Sequence, residues 1–254
     1  MKNRRRRGAV AVCIKDGVYV IGGQDENYEC IMSIDKYSIS SNIWEKVGDM
    51  YDTRINFCAC SFMDYIYVIG GHYGNFRDDC VVFNTKDRSW KEVAVMNGAK
   101  YDAACATFEG KVVVSGGYNN GSLNTVEAYD HVADSWTYMP NMIEERFGHK
   151  SVAMKNKLFL VEGYAERPCE VFDSTCNKFV LVKSPPVPYL SEPSDIILIA
   201  SKLYIFRDYL STILIYDVEN DNWSRKYCEV TDNLGGYCCS KSPQLKSSVD
   251  DNMV

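Results

Sequence analysis

Three histidines, His72, His131 and His149, are the only imidazoles the chain offers for acid–base or metal chemistry, and none sits in an HxxxH or beside a CxxC. His149 stands in Arg146-Phe147-Gly148-His149-Lys150-Ser151, a run that invites a serine-hydrolase reading. No GxSxG elbow, GxxxxGK phosphate loop or dinucleotide fingerprint follows a suitable hydrophobic strand. The adjacent carboxylates Glu144-Glu145 and Asp78-Asp79 are poor acid–base partners, because neighbours on an extended chain point to opposite faces. The expectation is a protein with no catalytic residue, no metal site and no cofactor.

Eleven cysteines are an odd number, so they cannot all pair, and no CxxC is present among them. In Phe57-Cys58-Ala59-Cys60-Ser61 and Ala103-Ala104-Cys105-Ala106 the neighbours are small, which suits reduced cysteine as a compact apolar filler. Cys238-Cys239 is the candidate exception for reactivity or metal binding. A net charge of −6 from 28 basic and 34 acidic side chains argues against a nucleic-acid partner. The run Arg4-Arg5-Arg6-Arg7 departs from that balance; it reads as a solvated flank, with an import signal or a phosphate contact as the alternatives. No apolar stretch reaches the length of a membrane helix, and the few apolar residues after the arginines make a poor secretory signal. A cytoplasmic protein without a membrane partner is expected.

The elements that would position any site come from an internal repeat. Val20-Ile21-Gly22-Gly23, Val68-Ile69-Gly70-Gly71 and Val114-Ser115-Gly116-Gly117 lie 48 and 46 residues apart, and degraded copies follow at Val161-Glu162-Gly163-Tyr164 and Phe206-Arg207-Asp208-Tyr209. In step with them run aromatic pairs seven residues apart: Tyr37 and Trp44, Phe83 and Trp90, Tyr129 and Trp136, Phe172 and Phe179, Tyr216 and Trp223. Each of the five units reads as four short strands separated by turn residues. The second strand is apolar at successive positions, as in Ile66-Tyr67-Val68-Ile69, so both its faces must be covered. Four-stranded sheets covered on both faces by one another are the blades of a propeller. Gly22, Gly23, Gly70, Gly71, Gly116 and Gly117 are then scaffold positions where the backbone takes positive φ. Trp44, Trp90, Trp136 and Trp223 supply apolar area between blades, each with one indole N–H to be satisfied.

A hydrophobic strand ending in Gly-Gly, then Tyr129-Asp130, Phe172-Asp173 or Tyr216-Asp217, then a Trp seven residues on, resembles the kelch repeat. The resemblance is greatest to the propellers of kelch-like adaptor proteins, whose Met-x-x-x-Arg segments are matched by Met50 to Arg54 and Met142 to Arg146. It implies an all-β kelch β-propeller with five recognisable four-stranded antiparallel blades plus a C-terminal closing strand. The propeller is expected over residues 1–244, with repeats at about 8–48, 54–94, 101–139, 148–183 and 194–230, a closing strand at about 233–241 and a disordered tail at 245–254. Six blades are usual in that family, so one blade is expected to be missing, as are the BTB and BACK segments that precede the propeller. Replacement of glycines by Glu162 and by Arg207-Asp208, and of tryptophan by Phe179, makes the last two blades the expected weak ones.

In an up-and-down blade, the loop after strand two and the linker to the next strand one share a rim. The count from the Gly-Gly position to the repeat aromatic falls from 15 through 13, 13 and 10 to 9, so variation is concentrated in that loop. The resemblance implies that substrate peptides, often acidic, dock there. It matches Arg54, Lys100 and Arg146, with Arg7, to the family's arginines before strand one, and Tyr118 and Tyr164 to its residues after Gly-Gly. Tyr73, Tyr101 and Phe147 complete the candidate partner-binding set. A non-catalytic substrate-recognition propeller of a cullin-based ubiquitin-ligase adaptor is the reading, the cullin being reached only through a BTB domain. An actin-binding scaffold is the alternative. A propeller enzyme is the third; a copper oxidase would need converging His and Tyr ligands that three scattered histidines do not supply.

Overall fold

A computed structural model describes residues 6–15, 17–164, 168–183, 193–207 and 212–227. Five four-stranded antiparallel sheets form a β-propeller, each sheet taking its strands in chain order from the axis outward. Blade 1 comprises Val10–Ile14, Gly17–Ile21, Ser33–Ser38 and Ile43–Asp49, and blade 2 comprises Cys58–Phe62, Tyr65–Ile69, Cys80–Asn84 and Trp90–Val93. Blade 3 runs through Ala104–Phe108, Lys111–Ser115, Val126–Asp130 and Ser135–Tyr138, and blade 4 through Lys150–Met154, Lys157–Val161, Glu170–Asp173 and Lys178–Leu181. Pro193–Ile199, Lys202–Arg207, Thr212–Asp217 and Asn222–Tyr227 make blade 5. The anticipated closing strand, the tail and Cys238-Cys239 lie outside the described residues.

The seven-residue spacing is explained by the register of the outer hairpin. Tyr37 faces Trp44, Phe83 faces Trp90, Tyr129 faces Trp136, Phe172 faces Phe179 and Tyr216 faces Trp223 across the last two strands of each blade. Their rings lie 4.9 to 5.2 Å apart, a cross-strand aromatic contact that repeats in every blade. The indole N–H of Trp90 donates to the Asp49 carbonyl at 2.9 Å, that of Trp136 to Ala94 at 2.7 Å and that of Trp223 to Lys183 at 2.6 Å. Each acceptor belongs to the end of the preceding blade, so these tryptophans tie one blade to the last.

Four apolar cores lie between successive blades, not inside them. In blade 2, Ile66 and Val68 pack toward blade 1, whereas Tyr67 and Ile69 pack toward blade 3, which is why the strand is apolar at every position. Burial pushes the Tyr67 phenol up to about 12. The innermost strands crowd around an axial channel of about 380 Å³ lined with Ala59, Cys60, Ala104, Cys105 and Ser151 among others. Small side chains are needed where five strands converge. Cys58 and Cys60 are buried reduced thiols of this kind.

The first glycine of each pair takes φ of 60° in Gly22, 60° in Gly70 and 55° in Gly116. At Gly70 a Cβ would stand 2.5 Å from the Lys100 carbonyl oxygen of the next linker, so no side chain fits. Glu162 holds the same left-handed conformation in blade 4, with φ 58°, at a cost of about 1 kcal/mol or more. The departure at Glu162 therefore leaves the backbone turn in place, and blades 4 and 5 are complete four-stranded sheets.

Candidate interaction rim

On one rim of blades 1 to 4 the loop after the second strand is knit to the linker that enters the blade. Arg7 bridges Gln24, Ile55 bridges His72 and Tyr101 bridges Tyr118. In blade 4 the Tyr164 N–H donates to the Phe147 carbonyl at 2.9 Å. Each linker then turns inward through a left-handed residue: Gly8, Asn56, Asp102 or Gly148, with φ between 50° and 67°. Gly, Asn and Asp are the residues that tolerate that conformation. The linker motif is thus a base, a rim residue and a left-handed turn: Arg6-Arg7-Gly8, Arg54-Ile55-Asn56, Lys100-Tyr101-Asp102 and Arg146-Phe147-Gly148.

The bases of this motif form a buried belt. Arg54 donates to Asp52 at 2.7 Å, to Asp79 at 2.6 Å and to the Gly70 carbonyl at 3.2 Å, and its side chain is 0% exposed. Arg77 bonds the same two aspartates, so two cations and two anions neutralise one another. Burial pushes the Asp79 carboxyl up, but the Arg77 hydrogen bond and the Arg54 charge outweigh it and hold the group below the usual carboxylate value. Lys100 donates to Glu127 at 2.6 Å, and the other Glu127 oxygen accepts the Asn97 backbone N–H at 2.8 Å. Arg146 pairs with Glu170 and donates to the Glu162 carbonyl at 3.0 Å, while Glu170 also accepts the Ile143 N–H at 2.7 Å. Each carboxylate thus anchors a cation; Glu127 and Glu170 also take backbone N–H groups of the linker, the satisfaction a buried ion pair requires.

These positions correct two expectations. Arg54, Lys100 and Arg146 are buried, so they do not present their charge to a partner; they hold the linkers. The register is also one residue off in blade 1, because Arg6, and not Arg7, occupies the belt. Arg6 donates to the Gly22 carbonyl sixteen residues ahead, as Arg54 does to Gly70 and Arg146 to Glu162, and it pairs with Asp35. Arg6 is therefore no solvated flank, whereas Arg7 is exposed, its guanidinium 5.4 Å from the centre of the Tyr28 ring.

The residues that follow the bases build an aromatic arc over blades 2 to 4. His72 lies 4.8 Å from Tyr101, Tyr101 5.4 Å from Tyr118, Tyr118 5.3 Å from Phe147 and Phe147 5.0 Å from Tyr164. Phe76 joins Tyr101 at 5.1 Å from a small hairpin, His72–Tyr73 with Asn75–Phe76, that stands up from blade 2. The structure thus brings Tyr101, Tyr118, Phe147 and Tyr164 into one row. Tyr73 is 63% exposed on the hairpin beside it. Sequence reasoning passed over His72 and Phe76 as members of the row, and Asp35, Asp79, Glu127 and Glu170 as members of the belt. For three of the acids a signal existed: Asp35, Glu127 and Glu170 stand two residues before the repeat aromatic, on its core-facing side, where a carboxylate needs a partner.

His149 is hydrogen-bonded to Ser115, not Ser151, with Nε2 2.9 Å from Oγ and both residues buried. Burial, with the Arg146 and Lys150 charges, lowers the imidazole well below its ordinary value, so it is neutral. Hydrogen bonds with Cys58 and Cys60, and then burial, raise the Cys105 thiol far above its usual range, so it stays protonated. Among the described residues no three His, Cys, Asp or Glu side chains are grouped to hold a metal ion, and no helix is long and apolar enough to cross a membrane.

Five blades of four antiparallel strands, a Gly-Gly turn in three of them and a rim built from paired loops define a β-propeller of the repeat type. The chain belongs to the kelch-repeat family: residues 1–163 match the family described as the KLHDC2/KLHL20/DRC7 Kelch-repeats domain. It is 23% identical over 243 residues to Kelch-like protein 26 of Danio rerio, a match covering 88% of this chain and 40% of that protein. Kelch repeat and BTB domain-containing protein 1 of Horsepox virus is 28% identical over 156 residues, 59% of this chain and 28% of the relative. Kelch-like protein 35 of Mus musculus is 24% identical over 214 residues, 81% of this chain and 37% of its own length. The chain therefore spans less than half the length of these relatives.

Proposed function

We propose that this chain is a non-catalytic protein-interaction module, the substrate-recognition propeller of a cullin-based ubiquitin-ligase adaptor acting in the cytoplasm. The reading is carried by the aromatic arc from His72 to Tyr164. It is a continuous row of rings on the rim where loop length varies most, mounted on linkers that the belt makes rigid. Aromatic side chains bury much area at little rotamer cost and dominate binding hot spots. The kinship with kelch-like proteins and with a protein named for its BTB domain supports the adaptor role, in which a BTB segment recruits the ligase and the propeller holds the substrate. Ser115 and His149 are buried against one another, and nothing in that geometry supports a nucleophile.

The test is affinity capture from a lysate with the intact chain and with a folded Tyr101→Ala, Tyr118→Ala, Phe147→Ala variant. A set of proteins retained by the intact chain and lost by the variant is expected. The same proteins retained by both would remove the arc from recognition, and filamentous actin as the shared prey would favour a scaffold.

A further inference from the structure

We propose that the rim receives an extended protein segment bearing arginine or lysine, its cations laid over the aromatic arc and paired with the carboxylates around it. The inference rests on the reading of the rim as a recognition surface and adds the chemistry of what is recognised.

The first observation is that the bases nearest the arc are spent on the belt. Arg54, Arg77, Lys100 and Arg146 are each committed to carboxylates of the belt, and three of the four are buried. Arg7 remains exposed at the far side, and its guanidinium lies against Tyr28 while donating to the Tyr28 hydroxyl at 2.9 Å. Among the described residues of this rim over blades 2 to 4, an acidic segment would meet Lys150, which forms no ion pair, against a larger number of carboxylates.

The second observation is the surplus of carboxylates. Asp25, Glu26 and Glu29 on the blade 1 loop, Asp78 on the blade 2 loop, and Asp102 and Glu145 on the linkers form no ion pair among the described residues. Asp102 follows Tyr101 and lies at the foot of the arc. One neutral donor, the Asn56 amide at 2.7 Å, reaches it. Burial raises its carboxyl above the ordinary value, and the charge of Lys150 is felt there without forming an ion pair. A half-desolvated carboxylate with a single neutral donor is a site at which an arriving guanidinium or ammonium gains most. Beside the arc, a groove of about 450 Å³ is lined by Tyr51, Tyr73, Phe76, Asp78 and Glu92 together with Arg77, which is paired with Asp52 and Asp79.

The third observation is the arc itself. Its rings meet at tilted, edge-on and stacked angles, and the faces left open attract cations, on which a planar guanidinium can lie. Arg7 beside Tyr28 is a cation held at a ring within the molecule, with its guanidinium 5.4 Å from the ring centre and bonded to the hydroxyl. Aromatic faces backed by unpaired carboxylates complement a basic segment, and net repulsion disfavours a phosphorylated or acidic one.

The test uses two fluorescein-labelled pools of twelve-residue peptides, random except for Arg at every third position in one and Glu at every third in the other, titrated into the full chain by anisotropy. The Arg pool is expected to bind at least about tenfold more tightly than the Glu pool at low salt, with an advantage that shrinks as salt rises. Asp78→Asn, Asp102→Asn, Glu145→Gln together should remove most of that advantage. Glu45→Gln, Glu109→Gln, Glu219→Gln, three carboxylates away from this rim, should leave it. Equal loss in both variants would mean bulk attraction to a negative protein and would overturn the proposal, as would preference for the Glu pool or binding of neither. In those cases the recognition reading stands or falls separately, on whether lysate partners depend on Tyr101, Tyr118 and Phe147.

Discussion

Arg146 and Phe147 are neighbours in the chain, yet one is fully buried against Glu170 and the other stands on the rim between Tyr118 and Tyr164. The same division recurs at Lys100 and Tyr101 and, one blade earlier, at Arg54 and Ile55. Extended backbone sends successive side chains to opposite sides, so a single step separates the residue that builds the rim from the residue a partner meets. Charge went inward because the linker has backbone N–H groups and a cation to satisfy at the same carboxylate. Rings went outward because they can be half exposed at little cost. A charged residue just before the first strand is therefore no indication of a charged binding surface.

The largest effect that would break this contrast is in the belt. Arg146→Ala leaves Glu170 buried without its cation and should cost about 3–5 kcal/mol of stability, read as a fall in the urea midpoint. Any binding defect of that variant would follow from unfolding. In the arc, Tyr118→Ala should weaken a captured partner by about 2 kcal/mol, roughly thirtyfold, while the urea midpoint moves little. Equal loss of stability in both variants would erase the distinction between scaffold and surface.

A pH experiment sharpens it. His149, held neutral beside Arg146, has its folded-state value below its unfolded one, so the unfolded chain binds the extra proton first. Stability from this group is complete above the ordinary histidine value and is lost as pH falls below it, by about 1 kcal/mol between pH 6.5 and 5.5. His149→Gln should flatten the thermal melting temperature over that interval. The smallest effect is expected at Arg7, whose contact with Tyr28 is exposed: Arg7→Ala should change stability by no more than about 0.5 kcal/mol, whereas Arg6→Ala, one residue away, should behave as a belt variant.

The five-fold repeat, the four strands of each unit and the aromatic hairpin were legible because they rest on period and spacing, and Tyr37 does face Trp44 as seven residues across a tight turn require. The base register was legible too: a base sixteen residues before the first glycine position picks out Arg6, Arg54, Lys100 and Arg146 alike. Choosing Arg7 followed from treating the arginine run as a block. What spacing alone does not give is the direction of a long side chain, since Arg54 on a loop reads as exposed until Asp79 is known to lie beneath it. Glu127 and Glu170 were the missing halves, carboxylates on the core face of a strand whose only tolerable environment is an ion pair. At Glu162 the missing glycine is visible in the sequence, and the backbone nevertheless holds φ 58°, which a glycine count does not convey.

The tryptophans that reach back to Asp49, Ala94 and Lys183 give the molecule a temporal order. Every such bond is made by a later blade to an earlier one, and each later hairpin packs its rings on a face that its predecessor has already completed. Among the described residues, blades 2 to 5 each dock on a blade that precedes them in the chain. The order of synthesis thus matches the order in which platforms are needed, and from blade 2 onward an aromatic hairpin loses its platform when the blade before it fails to fold.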